Sequence, residues 1–509
     1  MRSAARLCLH GLAVSLGSLA LASGAAPARA HDHHDHPAPA PLNSEVRHSG
    51  RFGGIELDYD ARVERTRLPA TENLPAVDMV STAYLRTDTN DDPDRPVLFL
   101  FNGGPGAASS WLHMGALGPV RIDAPADPAD APQGLATTPN THTLLDMADL
   151  VFIDPPETGF SRVTDGGDVD ALLTVSGDAE LIARFVETWL SERGRTGAPA
   201  FLLGESYGTI RATAMAGLMA ERGTLDGIVL LGQAVNMIET SQRANNIVSY
   251  ATNLSALAAI AAYHGRADTG GLSIPDFVDA VHAWAMSDYL LALAQGTALA
   301  DSERQAIAAR LEAVTGISRD TYLETGLIFT KAAFRRALLA DEDRVLAVYD
   351  ARYAGPAPEP GERGQDPFSP VAAMIPQALT LHFAETLGVN LPVEDYRNYW
   401  SGASDWRWLP TGGMGGPFDD FDYTAHLEAA LAADPDFRIM VGTGRYDTTT
   451  TIGPARYLAH QIEGADGRIL VREYEGGHMA YTNPEALAAL TADLRAFIEG
   501  TATSGTPGQ

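Results

Sequence analysis

The sequence predicts an α/β fold: a mostly parallel central sheet with helices on both faces and an inserted helical cap. Three features point there. Apolar runs of four or five residues (Val97 to Phe101, Leu150 to Ile153, Ala200 to Leu203, Gly227 to Leu231) recur between helical stretches. Runs so short and continuous suit strands buried on both faces. The turn Gly204-Glu205-Ser206-Tyr207-Gly208 follows one of these runs and opens a helical stretch, Thr209 to Met219. A long alanine-rich tract then separates these strands from two later ones, Phe437 to Val441 and Arg468 to Val471.

Taken in order, residues 1–30 read as an export signal. Arg2 and Arg6 precede an apolar run, Leu7 to Leu21, and Ala28-Arg29-Ala30 has the form of a cleavage site. Residues 31–50 read as a disordered His/Pro-rich linker; its tract His31-Asp32-His33-His34-Asp35-His36 has metal-binding composition but no fixed spacing to order the imidazoles. Residues 51–235 form the first part of the α/β core, starting with alternating strands near Gly53 to Tyr59 and Met79 to Leu85 and including an amphipathic helix from Val175 to Arg193. Residues 236–410 are the helical cap, with helices expected at Ala256 to Tyr263, Ile274 to Leu293, Arg304 to Val314 and Lys331 to Ala340, then a Pro/Gly loop from Ala354 to Pro370. Residues 411–500 complete the core and end in a helix from Pro484 to Glu499, and residues 501–509 are a flexible tail.

Composition narrows the chemistry. The chain has 509 residues, 45% of them apolar, which is ample for a large core. Its net charge of −29 becomes more negative once the arginines of the signal are lost, and that sign opposes nucleic-acid binding. Cys8, inside the signal, is the only cysteine, so a mature chain would have no disulfide, no thiol catalysis and no thiolate metal site. After signal cleavage no apolar stretch approaches a membrane span, so no integral anchor is expected. An exported bacterial protein, periplasmic or secreted, fits these features.

The Gly-x-Ser-x-Gly turn between strand and helix is a nucleophile elbow: its glycines let the chain turn sharply and expose the Ser206 hydroxyl. A serine needs a base, and the base needs an acid to orient it. In α/β-hydrolase order these follow on loops after late strands, which selects Asp447 after Val441 and His478 after Val471. A negatively charged intermediate also needs preorganised donors. The loop Asn102-Gly103-Gly104-Pro105-Gly106 follows an early strand and can supply one N–H; Tyr207, next to the nucleophile, supplies another.

These segments together resemble the serine carboxypeptidases. The likeness rests on Phe101 to Gly106 with Ser109-Ser110, Phe152 to Pro156 with Thr158 to Ser161, Gly204 to Gly208, Gly444 to Thr448, and Gly477-His478-Met479. The resemblance implies oxyanion donors at Gly104 and Tyr207. It also implies recognition of a terminal carboxylate by Asn102 and Glu205, with Gly103 and Met479 in the substrate site. The physics supports Glu205 in that role, because a buried carboxyl is pushed toward its neutral form and can then donate to a carboxylate. The pattern departs from the family's at Leu100, Ala107 and Thr209-Ile210-Arg211. The expected activity is C-terminal peptide hydrolysis with peptide substrates and no cofactor or metal. The alternatives are an esterase or acyltransferase using the same triad, and a non-catalytic binding protein on the same fold.

Overall fold

The computed structural model describes residues 42–502 except 90–91, 126, 131–133, 165, 221, 238–240, 360, 363, 390–391, 393–394 and 410–421. The signal, the His-rich tract and residues 503–509 of the tail therefore lie outside the described residues. The main strands are β1 (Ser44–Phe52), β2 (Ile55–Leu68), β3 (Val77–Arg86), β4 (Val97–Phe101), β5 (Asp149–Asp154), β6 (Ala200–Glu205), β7 (Gly227–Leu231), β8 (Arg438–Gly444) and β9 (Ile469–Tyr474). They form one sheet in the order β1-β2-β3-β5-β4-β6-β7-β8-β9. From β5 to β9 all neighbours are parallel, whereas β1, β2 and β3 form an antiparallel edge.

The parallel strands read as continuous apolar runs because both faces are covered. In β4, Val97, Phe99 and Phe101 face a core built with α1 (Val175–Glu192), α2 (Tyr207–Ala220) and part of the later chain. Leu98 and Leu100 face the opposite core. Helix α1 starts cleanly because Thr174 caps it, accepting from the Gly177 N–H.

The tract between β7 and β8 is mainly helical. Helices α3 (Ile247–Tyr263), α4 (Ile274–Trp284), α5 (Asp301–Thr315) and α6 (Lys331–Ala337) surround an apolar cluster of their own, which Tyr446 and Ile452 join. It is not wholly helical: Arg344–Leu346 and Ala354–Pro356 pair as a short antiparallel hairpin. Beyond the hairpin, Phe368 and the helix α7 (Met374–Glu385) pack into the second core under the sheet. Helices α8 (Thr424–Ala433), α9 (Ile452–Gln461) and α10 (Pro484–Ile498) complete the set used below.

One expectation is corrected. The linker was expected to run to residue 50, but Ser44 to Phe52 form β1, paired along its length with β2. Its outer side is polar and exposed, and its inner side carries only Val46 and Phe52 as apolar residues among Ser44, His48 and Gly50, so no clear apolar period marks it. Pairing with β2 is what makes it a strand.

A buried ion pair joins the first core to the elbow. Arg211, on α2, and Asp178, on α1, are each 1% exposed, with Nε 2.7 Å from Oδ2. The same guanidinium donates to the Asn102 carbonyl at 2.8 Å, and the Tyr207 hydroxyl donates to Asp178 Oδ2 at 3.0 Å. Removing the guanidinium strands a buried carboxylate. Arg211→Met should therefore lower the unfolding free energy in a urea titration by about 3–5 kcal/mol. Leu218→Ala, an exposed site on the same helix, should stay within about 0.5 kcal/mol. Equal stability of Arg211→Met and the parent protein would refute this role for the pair.

Candidate active site

Ser206 joins β6 to α2 and has φ +59, a left-handed conformation unusual for a residue with a side chain. Its N–H donates to the Leu231 carbonyl at the end of β7 (2.9 Å), and its carbonyl accepts from Thr209 N–H. The elbow needs both its glycines. A Cβ on Gly204 would lie 2.1 Å from the Gly208 carbonyl oxygen, and one on Gly208 would lie 2.9 Å from that of Phe101. From residue 200 to 216, Ser206 alone is not fully buried. The turn thus presents one hydroxyl from an otherwise closed structure.

His478 and Asp447 come from the loops after β9 and β8. The His478 Nδ1 lies 2.7 Å from Asp447 Oδ2. Those loops approach closely through glycine: a Cβ on Gly444 would lie 1.9 Å from the Gly477 carbonyl oxygen. Gly232, directly after the Leu231 that anchors Ser206, sits against the imidazole; a Cβ there would be 2.9 Å from His478 Cε1. The nucleophile turn and the histidine therefore converge on the end of β7.

The carboxylate is unusually well held. The backbone N–H and hydroxyl of Thr449 donate to Asp447 Oδ1, both at 2.6 Å. Thr450 donates to Oδ2 through its N–H at 3.2 Å and its hydroxyl at 2.6 Å. Burial alone would raise the pKa of Asp447, but His478 and the two threonine hydroxyls outweigh it, so the group is held below its ordinary value. Burial lowers that of His478, yet Asp447 more than offsets it and the net shift is upward.

Several supports were not visible in the sequence. The His478 N–H donates to the Tyr349 carbonyl (2.6 Å), Gly477 N–H donates to Asp350 Oδ2 (3.0 Å), and Arg352 pairs with that carboxylate at 2.7 Å. The Tyr349 ring lies 5.5 Å from the imidazole. Tyr446 and Thr448, on the acid's loop, bond to Gly476, Ala351 and Val348. The segment from Val348 to Arg352 thus straps the acid loop to the histidine loop. No local motif marks it.

Glu205 and Asn102 also meet. Both are buried, at 3% and 2% exposure. Leu112 N–H donates to Asn102 Oδ1 (3.1 Å), and the Asn102 side chain also hydrogen-bonds Glu205. Tyr481 donates its hydroxyl to Glu205 Oε2 at 2.5 Å. Burial pushes the Glu205 carboxyl up to about 7, against the opposing effects of His478 and the Tyr481 hydrogen bond. Sequence reading missed Tyr481, although it stands three residues after His478.

Gly103 presses against the elbow, where a Cβ would be 2.5 Å from Tyr207 N. Gly104 follows with φ +104, joined to Pro105 by a cis peptide bond. Tyr207 opens α2, so its N–H is one of the donors a helix start leaves free; its ring packs against Trp406 and Trp408. Met479 is buried in the second core, 5% exposed. Among the described residues, no group of three or more His, Cys, Asp or Glu could hold a metal ion. No described helix is long and apolar enough to cross a membrane.

The arrangement sets the Ser206 hydroxyl and an acid–imidazole pair beside a buried carboxyl whose pKa is raised to about 7. Residues 79–259 match the model of the serine carboxypeptidase family. No curated protein matches the chain. Among solved structures, a prohormone-processing carboxypeptidase from Saccharomyces cerevisiae is similar in fold, with 13% identity, coverage of 88% of this chain and 93% of that one, and a TM-score of 0.52. Looser similarity extends to a thermostable carboxyl esterase from Bacillus coagulans (11% identity, 86% and 98% covered, TM-score 0.37). A peroxisomal α/β-hydrolase from Saccharomyces cerevisiae is comparable (10% identity, 92% and 93% covered, TM-score 0.34).

The opposing effects on His478 give a direct test. In Asp447→Asn, burial acts on the imidazole without the carboxylate, so its pKa should fall below the ordinary histidine value. Imidazole NMR titration of the variant would measure this; a pKa as high as the parent's would contradict the assignment.

Proposed function

We propose that the chain is a serine-type hydrolase that removes C-terminal residues from peptides, a reading supported by the match of residues 79–259 to the model of the serine carboxypeptidase family. Ser206 attacks the last peptide carbonyl while His478 takes its proton and then passes it to the leaving amine. Asp447 holds His478 in the tautomer that accepts at Nε2 and stabilises the imidazolium. The N–H groups of Tyr207 and Gly104 receive the developing oxyanion. Water, activated by the same imidazole, hydrolyses the acyl-enzyme on Ser206. No step calls for a metal or organic cofactor.

The observation that carries the reading is Glu205. A carboxyl beside the nucleophile, buried and raised to about 7, can donate a hydrogen bond to a carboxylate when protonated and repels it when ionised. With the Asn102 amide it forms a site for a free peptide C-terminus, near Gly103. Met479 takes part by packing behind this region. An esterase would not need that pair. Export to the periplasm or medium is part of the same proposal, supported by the Arg2/Arg6, apolar run and Ala28-Arg29-Ala30 pattern.

Two outcomes follow. A peptide acid should be cleaved far faster than its C-terminal amide, and equal rates would exclude the carboxypeptidase reading in favour of a general acyl hydrolase. For the peptide acid, KM should rise as pH increases through about 7, approaching tenfold per unit as the protonated fraction of Glu205 falls. Glu205→Gln, which cannot ionise, should flatten that dependence. Tyr481→Phe removes a hydrogen bond that favours ionised Glu205, so it should move the rise to higher pH. A KM independent of pH in the parent enzyme would rule out this recognition mode.

A further inference from the structure

Lys331 is the only lysine in the chain. It opens α6, in the helical tract rather than the sheet. It is half-buried, and its ammonium donates to the Thr449 carbonyl at 3.0 Å. That carbonyl belongs to the same peptide group as the Thr450 N–H, which donates to Asp447 Oδ2, the oxygen that holds His478 Nδ1. One hydrogen-bonded chain thus runs from the ammonium through a single peptide group to the acid and the imidazole. Its backbone is fixed as well, since Lys331 N–H donates to Gln242 Oε1 at 2.7 Å.

We propose that Lys331 is a positioning residue for the acid–histidine pair, using its charge to polarise the Thr449–Thr450 peptide toward Asp447 and so favour the neutral imidazole of His478. A cation on the carbonyl strengthens the N–H at the other end of that peptide as a donor. The carboxylate, better satisfied by Thr450, then supports an imidazolium less, and the ammonium itself opposes a second positive charge nearby. Burial lowers the pKa of Lys331 to about 8, with Asp447 opposing and Arg335 reinforcing the shift, so it stays mainly charged at neutral pH. The groups acting on His478 are Asp447 and Glu205, with the Tyr349 ring beside it. Lys331 adds to these from a different element.

The inference rests on Ser206 and His478 acting together, and its test does not require a peptide substrate. A small alkyl fluorophosphonate reacts as Ser206 Oγ bonds to phosphorus, fluoride leaves and His478 takes the proton. The rate falls at low pH as His478 becomes protonated. In K331M this acid limb should move up by about one pH unit, whereas K331R, which keeps the charge, should stay within about 0.3 unit of the parent. Superimposable limbs for K331M and the parent would overturn the proposal, as would equal displacement in K331M and K331R. If K331M does not fold, acetylation of the folded parent enzyme replaces it, because Lys331 is the only side-chain amine; mass spectrometry reports occupancy and an unmoved limb counts against the role. A parent enzyme inert to the probe would remove the premise and the proposal with it. A shifted limb in an enzyme that ignores peptide acids would leave the proposal standing and reject only the substrate assignment.

Discussion

The site depends on one buried guanidinium. Arg211 reaches Asp178 on α1 and the Asn102 carbonyl in the glycine loop while standing on the elbow helix itself. Three segments far apart in sequence are thereby fixed around one charge that has no access to water. The energetic basis is asymmetric: the complete pair contributes little beyond an apolar replacement, but a lone buried charge is costly. The packing must therefore keep both partners. With the glycine loop held, Gly103 can lie against Tyr207 and Asn102 can meet Glu205.

A second constraint is the separation of two carboxyls around one imidazole. Asp447 is fully enclosed, yet hydrogen bonds from Thr449, Thr450 and His478 hold it ionised. Glu205 is equally enclosed, but its hydrogen bonds are fewer and Asp447 adds repulsion, so it rises to about 7. Burial is the same for both; the donors decide. Distinct roles for chemically similar groups follow from environments that push their pKa values apart.

Much of this was legible in the chain. Gly204, Ser206 and Gly208 lie within five residues, and their meaning comes from local sterics of a strand turning into a helix. Asp447 and His478 could be selected because each follows an apolar run in the proper order. The continuous runs of β4 to β7 showed their burial directly. Strand β1 was missed because only Val46 and Phe52 are apolar on its inner face, and the hairpin at Arg344–Leu346 because it is too short to show a period.

The sequence alone thus singled out Ser206, the order of its proposed partners and the parallel core, all properties of local pattern and chain direction. Tertiary structure decided what holds them. Tyr481 reaches Glu205 across 276 positions, Arg211 reaches Asn102 across 109, and Lys331 reaches the Thr449 carbonyl across 118. Contacts of that span leave no periodicity or motif in the chain. They exist only because loops at the ends of parallel strands are gathered into one place, where buried charges must find partners.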